Sequence, residues 1–195
     1  MNFKKSLILL TAVILIFSMS GCKAFTDGFT EGLKQSKSSE TTQPTTIEAL
    51  GLPLSITVPS GWEEAEGLHD NAQIQAKSGN PEGYILIIAE DKSDFTDSMT
   101  LRDYYDIIKS NFSNSLTDLE LGSDKPHKIN GFDAIQIQIK GTASNVKLIY
   151  LVSCVETDEY FAQIITWTIN SKFEEIKPEF ESIINSFNTT DGSNI

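Results

Sequence analysis

The sequence predicts an α+β domain, an antiparallel β-sheet of about six strands flanked by helices, set behind a signal peptide and a flexible linker. Three observations carry that prediction. Apolar side chains between residues 47 and 188 alternate as in short strands or recur at three and four as in helices. The connections between the strand-like runs are short, which favours antiparallel pairing, because parallel strands need long crossovers. The run Leu148-Ile149-Tyr150-Leu151-Val152 is apolar on both faces, so both sides of the sheet must be covered.

The chain opens with Lys4 and Lys5, then an apolar stretch from Leu7 to Phe17 broken only by Thr11, then Ser18, Ser20 and Gly21. An apolar run this short falls below the ~17 to 25 residues needed to span hydrocarbon, and small residues follow it, so residues 1 to 21 are expected to be a removable signal peptide. Met19-Ser20-Gly21-Cys22 resembles a bacterial lipobox, in which the Cys thiol takes a diacylglycerol and cleavage leaves that Cys first. The alternative is an ordinary signal peptide with a coincidental Cys. Lipidation at Cys22 would fix the protein to the membrane through its acyl (palmitate-type) chains, each buried methylene contributing about 0.8 kcal/mol. The expected location is the extracytoplasmic face of the cell membrane. Lys23 and the heavy use of Lys, Asn and Ile lean toward a Gram-positive bacterium.

Charge supports attachment by lipid alone. The 195 residues hold 15 basic and 27 acidic side chains, a net of −12, and removal of residues 1 to 21 takes two lysines and no acid, leaving −14. No polybasic patch is available as a second membrane signal. The same excess argues against a nucleic-acid partner, which calls for a basic stripe. With 39% hydrophobic residues the chain can bury a core, so it is not a disordered polymer. Cys22 and Cys154 are the two cysteines, and lipidation of the first leaves no intramolecular disulfide.

Residues 22 to 46 are expected to form a tether, rich in Ser, Thr, Gln and Lys, with an average reach of roughly 25 to 30 Å as a random coil. Within it Phe25, Phe29 and Leu33 share one helical face, which fits a small interfacial helix or, with two glycines between them, a simple spacer. Residues 47 to 188 then form the domain, and 189 to 195 a disordered tail.

Inside the domain, Leu54 to Val58, Ala72 to Lys77 and Tyr84 to Ala89 read as strands. Thr100, with Asp103 three residues on, caps a helix of about three turns through Leu101, Tyr104, Tyr105, Ile108 and Phe112. Three more strands follow at Asp133 to Lys140, Val146 to Val155 and Tyr160 to Thr168, with Gly141, Asn145, Asp158 and Glu159 in the turns. Phe173, Ile176, Phe180, Ile183, Ile184 and Phe187 mark a terminal amphipathic segment. Pro178 interrupts it, so the expectation is a first turn capped by Ser171 and a main helix restarting with Pro178 near its first position.

Leu54-Ser55-Ile56-Thr57-Val58-Pro59-Ser60-Gly61-Trp62, Ile129-Asn130-Gly131-Phe132-Asp133-Ala134 and Ile183-Ile184-Asn185-Ser186-Phe187 resemble the PsbP-like family. That family includes the extrinsic subunit P of photosystem II, a Ran-binding nuclear import factor and many bacterial lipoproteins. The resemblance spans about 140 residues and implies an antiparallel sheet between helices. It transfers no photosystem ligand or Ran-contacting residue to a position of this chain.

Candidate chemistry is sparse. His69 and His127 lack metal-ligand spacing and sit in polar segments that are expected to be exposed. Cys154 reads as a small buried hydrophobe. Asp91, Asp94 and Asp97 invite a calcium reading, yet their spacing lacks the ligands and turn Gly of an EF-hand loop. Glu63, Glu64 and Glu66 beside Trp62 invite a glycosidase reading that sequence neighbours cannot support. Trp62 and Trp167 read as packing residues rather than stacking platforms. The expectation is a non-catalytic protein- or ligand-binding accessory module at the cell envelope, with no cofactor, no metal and an unassigned ligand-binding surface. The alternative is an envelope hydrolase built on those carboxylates.

Overall fold

The structure, a computed structural model, describes residues 43 to 190. The signal segment, Cys22, most of the tether and residues 191 to 195 lie outside the described residues.

Eleven strands and two helices are formed among the described residues. The strands are β1 (Thr45–Glu48), β2 (Leu54–Val58), β3 (Trp62–Glu64), β4 (Ile74–Gly79), β5 (Glu82–Asp91), β6 (Thr117–Leu121), β7 (Lys125–Ile129), β8 (Phe132–Ala143), β9 (Val146–Glu156), β10 (Tyr160–Ile169) and β11 (Asn188–Thr189). The helices are α1 (Leu101–Ser115) and α2 (Phe173–Asn185). The main sheet is antiparallel and larger than the six strands expected. It runs β3-β4-β5-β10-β9-β8-β6, and β7 also pairs with β8, making eight strands. A second sheet, β1-β2-β11, holds β2 between two short partners. Strand β1 begins at Thr45, inside the stretch read as tether, and β11 includes Thr189, the first residue of the expected tail.

Alternation along the central strands sorts the core into two layers. Ile149, Leu151 and Val155 of β9 join one layer with α2 and β2, whereas Tyr150, Val152 and Cys154 join the other with α1. The doubly apolar run in β9 is thus covered on both faces, as its sequence demands. Helix α1 rests on β8 and β9, and α2 touches β2, β9 and β10.

Helix α1 starts where expected. Thr100 Oγ1 accepts the Asp103 N–H at 3.2 Å and Asp103 Oδ2 accepts the Thr100 N–H at 3.0 Å, a reciprocal capping box. Helix α2 does not restart at Pro178. It runs unbroken from Phe173, and Ser171 lies in a preceding 3-10 turn, Asn170–Lys172, with no side-chain cap on the helix. Proline removes one hydrogen bond and costs a helix interior about 3 kcal/mol. Here Pro178 and Glu174, whose carbonyl loses its donor, are both exposed, so water takes that acceptor. Phe173, Ile176, Phe180, Ile183 and Ile184 are fully buried on the opposite face, which outweighs the loss.

Gly141 is not a turn residue either. It lies within β8 opposite Leu148, and the hairpin turns at Ser144 and Asn145, which have φ of 47° and 67°. A Cβ on Gly141 would lie 2.8 Å from Leu116 Cβ at the end of α1, so the strand needs glycine to let the helix approach.

The three segments that carry the family resemblance meet at the C-terminal end of α2. Ser186 Oγ accepts the Thr57 N–H at 2.8 Å, and Asn130 Nδ2 donates to Phe187 O at 2.8 Å. Phe132 and Phe187 pack edge to face. These residues join β2, the β7–β8 turn and α2 into one corner, so the shared motifs are structural staples.

Candidate functional site

The outer edge of the sheet is irregular beside β8. Leu121 faces Ile139 and Lys125 faces Gln136, so Gly122, Ser123 and Asp124 stand against only Ile137 and Gln138. The one extra residue in this connection between β6 and β7 acts as a bulge, which re-aims side chains and breaks the ladder, and β6 itself shifts register between Thr117 and Glu120. Asp124 is drawn over α1, where its carboxylate accepts from Tyr105 Oη at 2.5 Å and from Lys109 Nζ at 2.8 Å and pairs with Arg102 at 2.9 Å. These donors, Lys109 foremost and then Tyr105, hold the Asp124 carboxyl down at about 2. The bulge is therefore pinned by charge.

Next to it a groove of about 190 Å³ opens, lined by Gly122 and Ser123 of the bulge, Lys125 of β7, Gln136, Ile137 and Gln138 of β8, Leu151 of β9, and Lys177 and Glu181 of α2. Strand register explains its polarity. Ile135, Ile137 and Ile139 point to the α1 layer, which leaves Gln136, Gln138 and Lys140 on the other face. Lys125 stands directly opposite Gln136 and shares that face. Gln136 Nε2 donates to Ser153 Oγ at 3.1 Å, which fixes its amide. Lys177 and Glu181, one helical turn apart, approach to 3.9 Å. The groove thus combines two ammonium groups, two amides and one carboxylate beside Leu151.

None of the histidines, cysteines, acids or tryptophans weighed in the sequence for chemistry lines this groove. His69 is half-buried rather than exposed: its Nδ1 accepts the Asn71 N–H at 3.0 Å, and its Nε2 is buried without a hydrogen-bond partner among the described residues. Burial pushes that imidazole below its ordinary pKa, against a smaller upward pull from Asp70. His127 is also only partly exposed, with Nδ1 3.1 Å from Lys125 O, where the ring N–H donates. Cys154 is fully buried as expected, and burial pushes its thiol far up, with the Glu90 charge adding to the effect.

Asp91 accepts the Ser93 N–H at 2.7 Å and caps a 3-10 turn, Lys92–Asp94, while Asp94 and Asp97 are exposed. Among the described residues no group of three or more His, Cys, Asp or Glu is arranged to hold a metal ion. Glu63 and Glu64 are consecutive on β3 and so face opposite ways, and Glu63 pairs with Lys77 at 3.4 Å. Glu66 is exposed.

Both tryptophans pack. Trp62 is buried edge-on against Phe180, and its indole N–H donates to Glu179 of α2 at 2.6 Å. Trp167 stacks on Tyr84 with ring centres 5.2 Å apart. The groove residues themselves left one trace in the sequence. Residues 125 to 150 carry Lys125, Lys128, Lys140 and Lys147 against the single acid Asp133, a basic stretch in a chain of net −12.

A bulge-edged antiparallel sheet between two helices, closed at one corner by a small second sheet, defines an α+β domain of PsbP-like fold. Similarity to solved structures agrees. Cyanobacterial PsbP (CyanoP) from Synechocystis sp. PCC 6803 superposes with a TM-score of 0.58 at 13% identity, over 81% of this chain and 99% of that one. LpqN, described as involved in cell envelope biogenesis of Mycobacterium tuberculosis, gives 0.55 at 14% identity, over 79% of this chain and 88% of its own. No protein-family model matches the chain, and no curated protein matches it in sequence. The likeness is one of fold.

Proposed function

We propose that this protein is an extracytoplasmic lipoprotein, held to the cell membrane through Cys22, whose domain is a non-catalytic binding module at the envelope. The observation that carries the binding reading is the groove beside the bulge. Its lysines, glutamines and glutamate suit recognition of a polar group, and they include no imidazole and no carboxylate pair for acid–base chemistry. The acids of the alternative hydrolase reading are dispersed: one pairs with a lysine, one caps a turn and the others are exposed. LpqN, a protein of cell envelope biogenesis with the same fold, supports the location. Among the described residues no helix is long and apolar enough to cross a membrane, and the reading assigns attachment to the lipid.

In-cell crosslinking of the tagged protein, read by mass spectrometry beside a Cys22→Ser variant, tests this. The expected result is membrane recovery of the wild type with one dominant envelope partner or polymer, and release of the variant with loss of that partner. A Cys22→Ser protein that stays acylated and membrane-bound, or a purified protein that turns over an envelope substrate, overturns it.

A further inference from the structure

The groove also indicates what it takes. Lys125 forms no ion pair among the described residues, and its neighbour across the groove, Lys177, reaches Glu181 at 3.9 Å and lies over the Phe173 ring at 5.9 Å. Residues 125 to 150 hold four lysines against Asp133 in a chain of net −12; Lys128 and Lys140 are paired with Asp133 and Glu120, which leaves Lys125 as the unpaired charge at the groove. The Gln138 amide has no hydrogen-bond partner among the described residues, and Gln136 keeps its carbonyl oxygen after donating to Ser153. Each amide offers donor and acceptor positions that match a hydroxyl or another amide. Glu181 disfavours a second negative charge close by and accepts from an N–H or O–H instead. A volume of about 190 Å³ is below the ~300 Å³ at which drug-sized pockets begin, so the occupant is the size of one residue or one sugar ring.

We propose that this groove binds the carboxylate-bearing end of a small polar ligand, with Lys125 taking the carboxylate, Gln136 and Gln138 the adjoining hydroxyl or amide, and the Lys177–Glu181 pair a further polar group. Two sources share that chemistry, a sugar acid and the C-terminal end of a peptide. The inference rests on the binding-module reading and gives that module its site.

The test is an NMR titration of the full chain at low salt with glucuronate and with N-acetylalanine, each beside its neutral counterpart, glucose or N-acetylalaninamide. One acid should saturate at millimolar concentration and shift the side-chain amides of Gln136 and Gln138, and which acid does so identifies the source. The neutral counterpart should bind at least about tenfold more weakly, as expected for loss of a charge-assisted contact. The double variant Lys125→Gln/Lys177→Gln should lose at least about tenfold, whereas Lys128→Gln, whose lysine pairs with Asp133, should bind like the wild type. Absence of binding by both acids, equal binding of the neutral forms, or full affinity in the double variant overturns the assignment. So does a response of the same amides to phosphatidylglycerol vesicles but to neither acid, which would make the face a lipid contact. Failure here with Cys22-dependent recovery intact removes the site alone, and the reverse pattern removes only the anchor.

Discussion

On the α2 face of the sheet, Phe173, Ile176, Phe180, Ile183, Ile184 and Phe187 are all fully buried against aliphatic strand residues and β2. On the α1 face, the helix inserts Tyr104 and Tyr105, each 1% exposed, and their hydroxyls reach carboxylates at the rim, Glu90 at 2.7 Å and Asp124 at 2.5 Å. Apart from the Trp62 indole on Glu179 the first layer is dry, whereas the other is wired to carboxylates on β5 and at the bulge. The dry layer fixes the corner where β2, the β7–β8 turn and α2 meet, and the wired layer holds the bulge beside the groove.

The largest expected effect tests the dry layer. Phe180→Ala should cost about 3 to 5 kcal/mol in denaturant melts, because the ring is fully buried and touches both Trp62 and Phe173. Tyr105→Phe should cost only about 1 kcal/mol, since Asp124 keeps Lys109 and Arg102 as partners. A reversed order would break the contrast between the layers.

Each layer also has one glycine where a helix meets the sheet, and these differ in what a methyl would strike. At Gly83 an added Cβ would lie 2.2 Å from Ile176 Cδ1, the far end of a side chain, and 3.1 Å from the Phe180 ring. At Gly141 it would lie 2.8 Å from Leu116 Cβ, which moves only with its backbone. Overpacking costs typically about 1 to 3 kcal/mol. Gly141→Ala should fall at the upper end and Gly83→Ala at the lower, as measured by their urea midpoints. Equal costs would mean that the dry layer yields no more readily than the end of α1.

Much of this architecture was legible because burial imposes a period. Strand β2, helix α1 with its cap, and strands β8 to β10 follow from alternation or from spacings of three and four. Strands β3, β6 and β7 were not legible. They are short or bulged edge strands with polar residues and Pro126 toward solvent, and their conformation comes from the partner strand rather than from their own pattern. Pro178 misled because periodicity does not say that a proline faces water. The groove was illegible for another reason: Lys125 on β7 and Lys177 on α2 stand 52 residues apart in sequence, and only the fold brings them to one cleft. Ile-Gln-Ile-Gln-Ile-Lys along β8 announced a polar face, but not that a helix would stand beside it.

The two tyrosines sharpen the comparison within the wired layer itself, since adjacent residues of α1 hold carboxylates shifted in opposite directions. Burial raises the Glu90 pKa, the Tyr104 hydrogen bond offsetting part of the rise and Asp94 adding to it. Asp124, held at about 2 by its donors, lies below the ordinary aspartate value of about 3.9. A carboxyl with a depressed folded pKa stabilises the protein above its unfolded value, and that stability is lost as pH falls from about 4 through about 2. A carboxyl with a raised folded pKa does the reverse: the folded state holds the proton more tightly, and stability declines as pH rises through that value. Asp124→Asn should therefore be destabilising by about 1 to 2 kcal/mol at pH 7, with the gap to wild type closing in acid. Glu90→Gln should cost nothing at pH 7 and gain up to about 1 kcal/mol, because the amide still accepts from Tyr104 and no charge is buried. Its advantage should shrink as pH falls toward 4. Chemical melts of the two variants between pH 2.5 and pH 8 read both slopes, and slopes of the same sign would show that both carboxylates act only as surface charges.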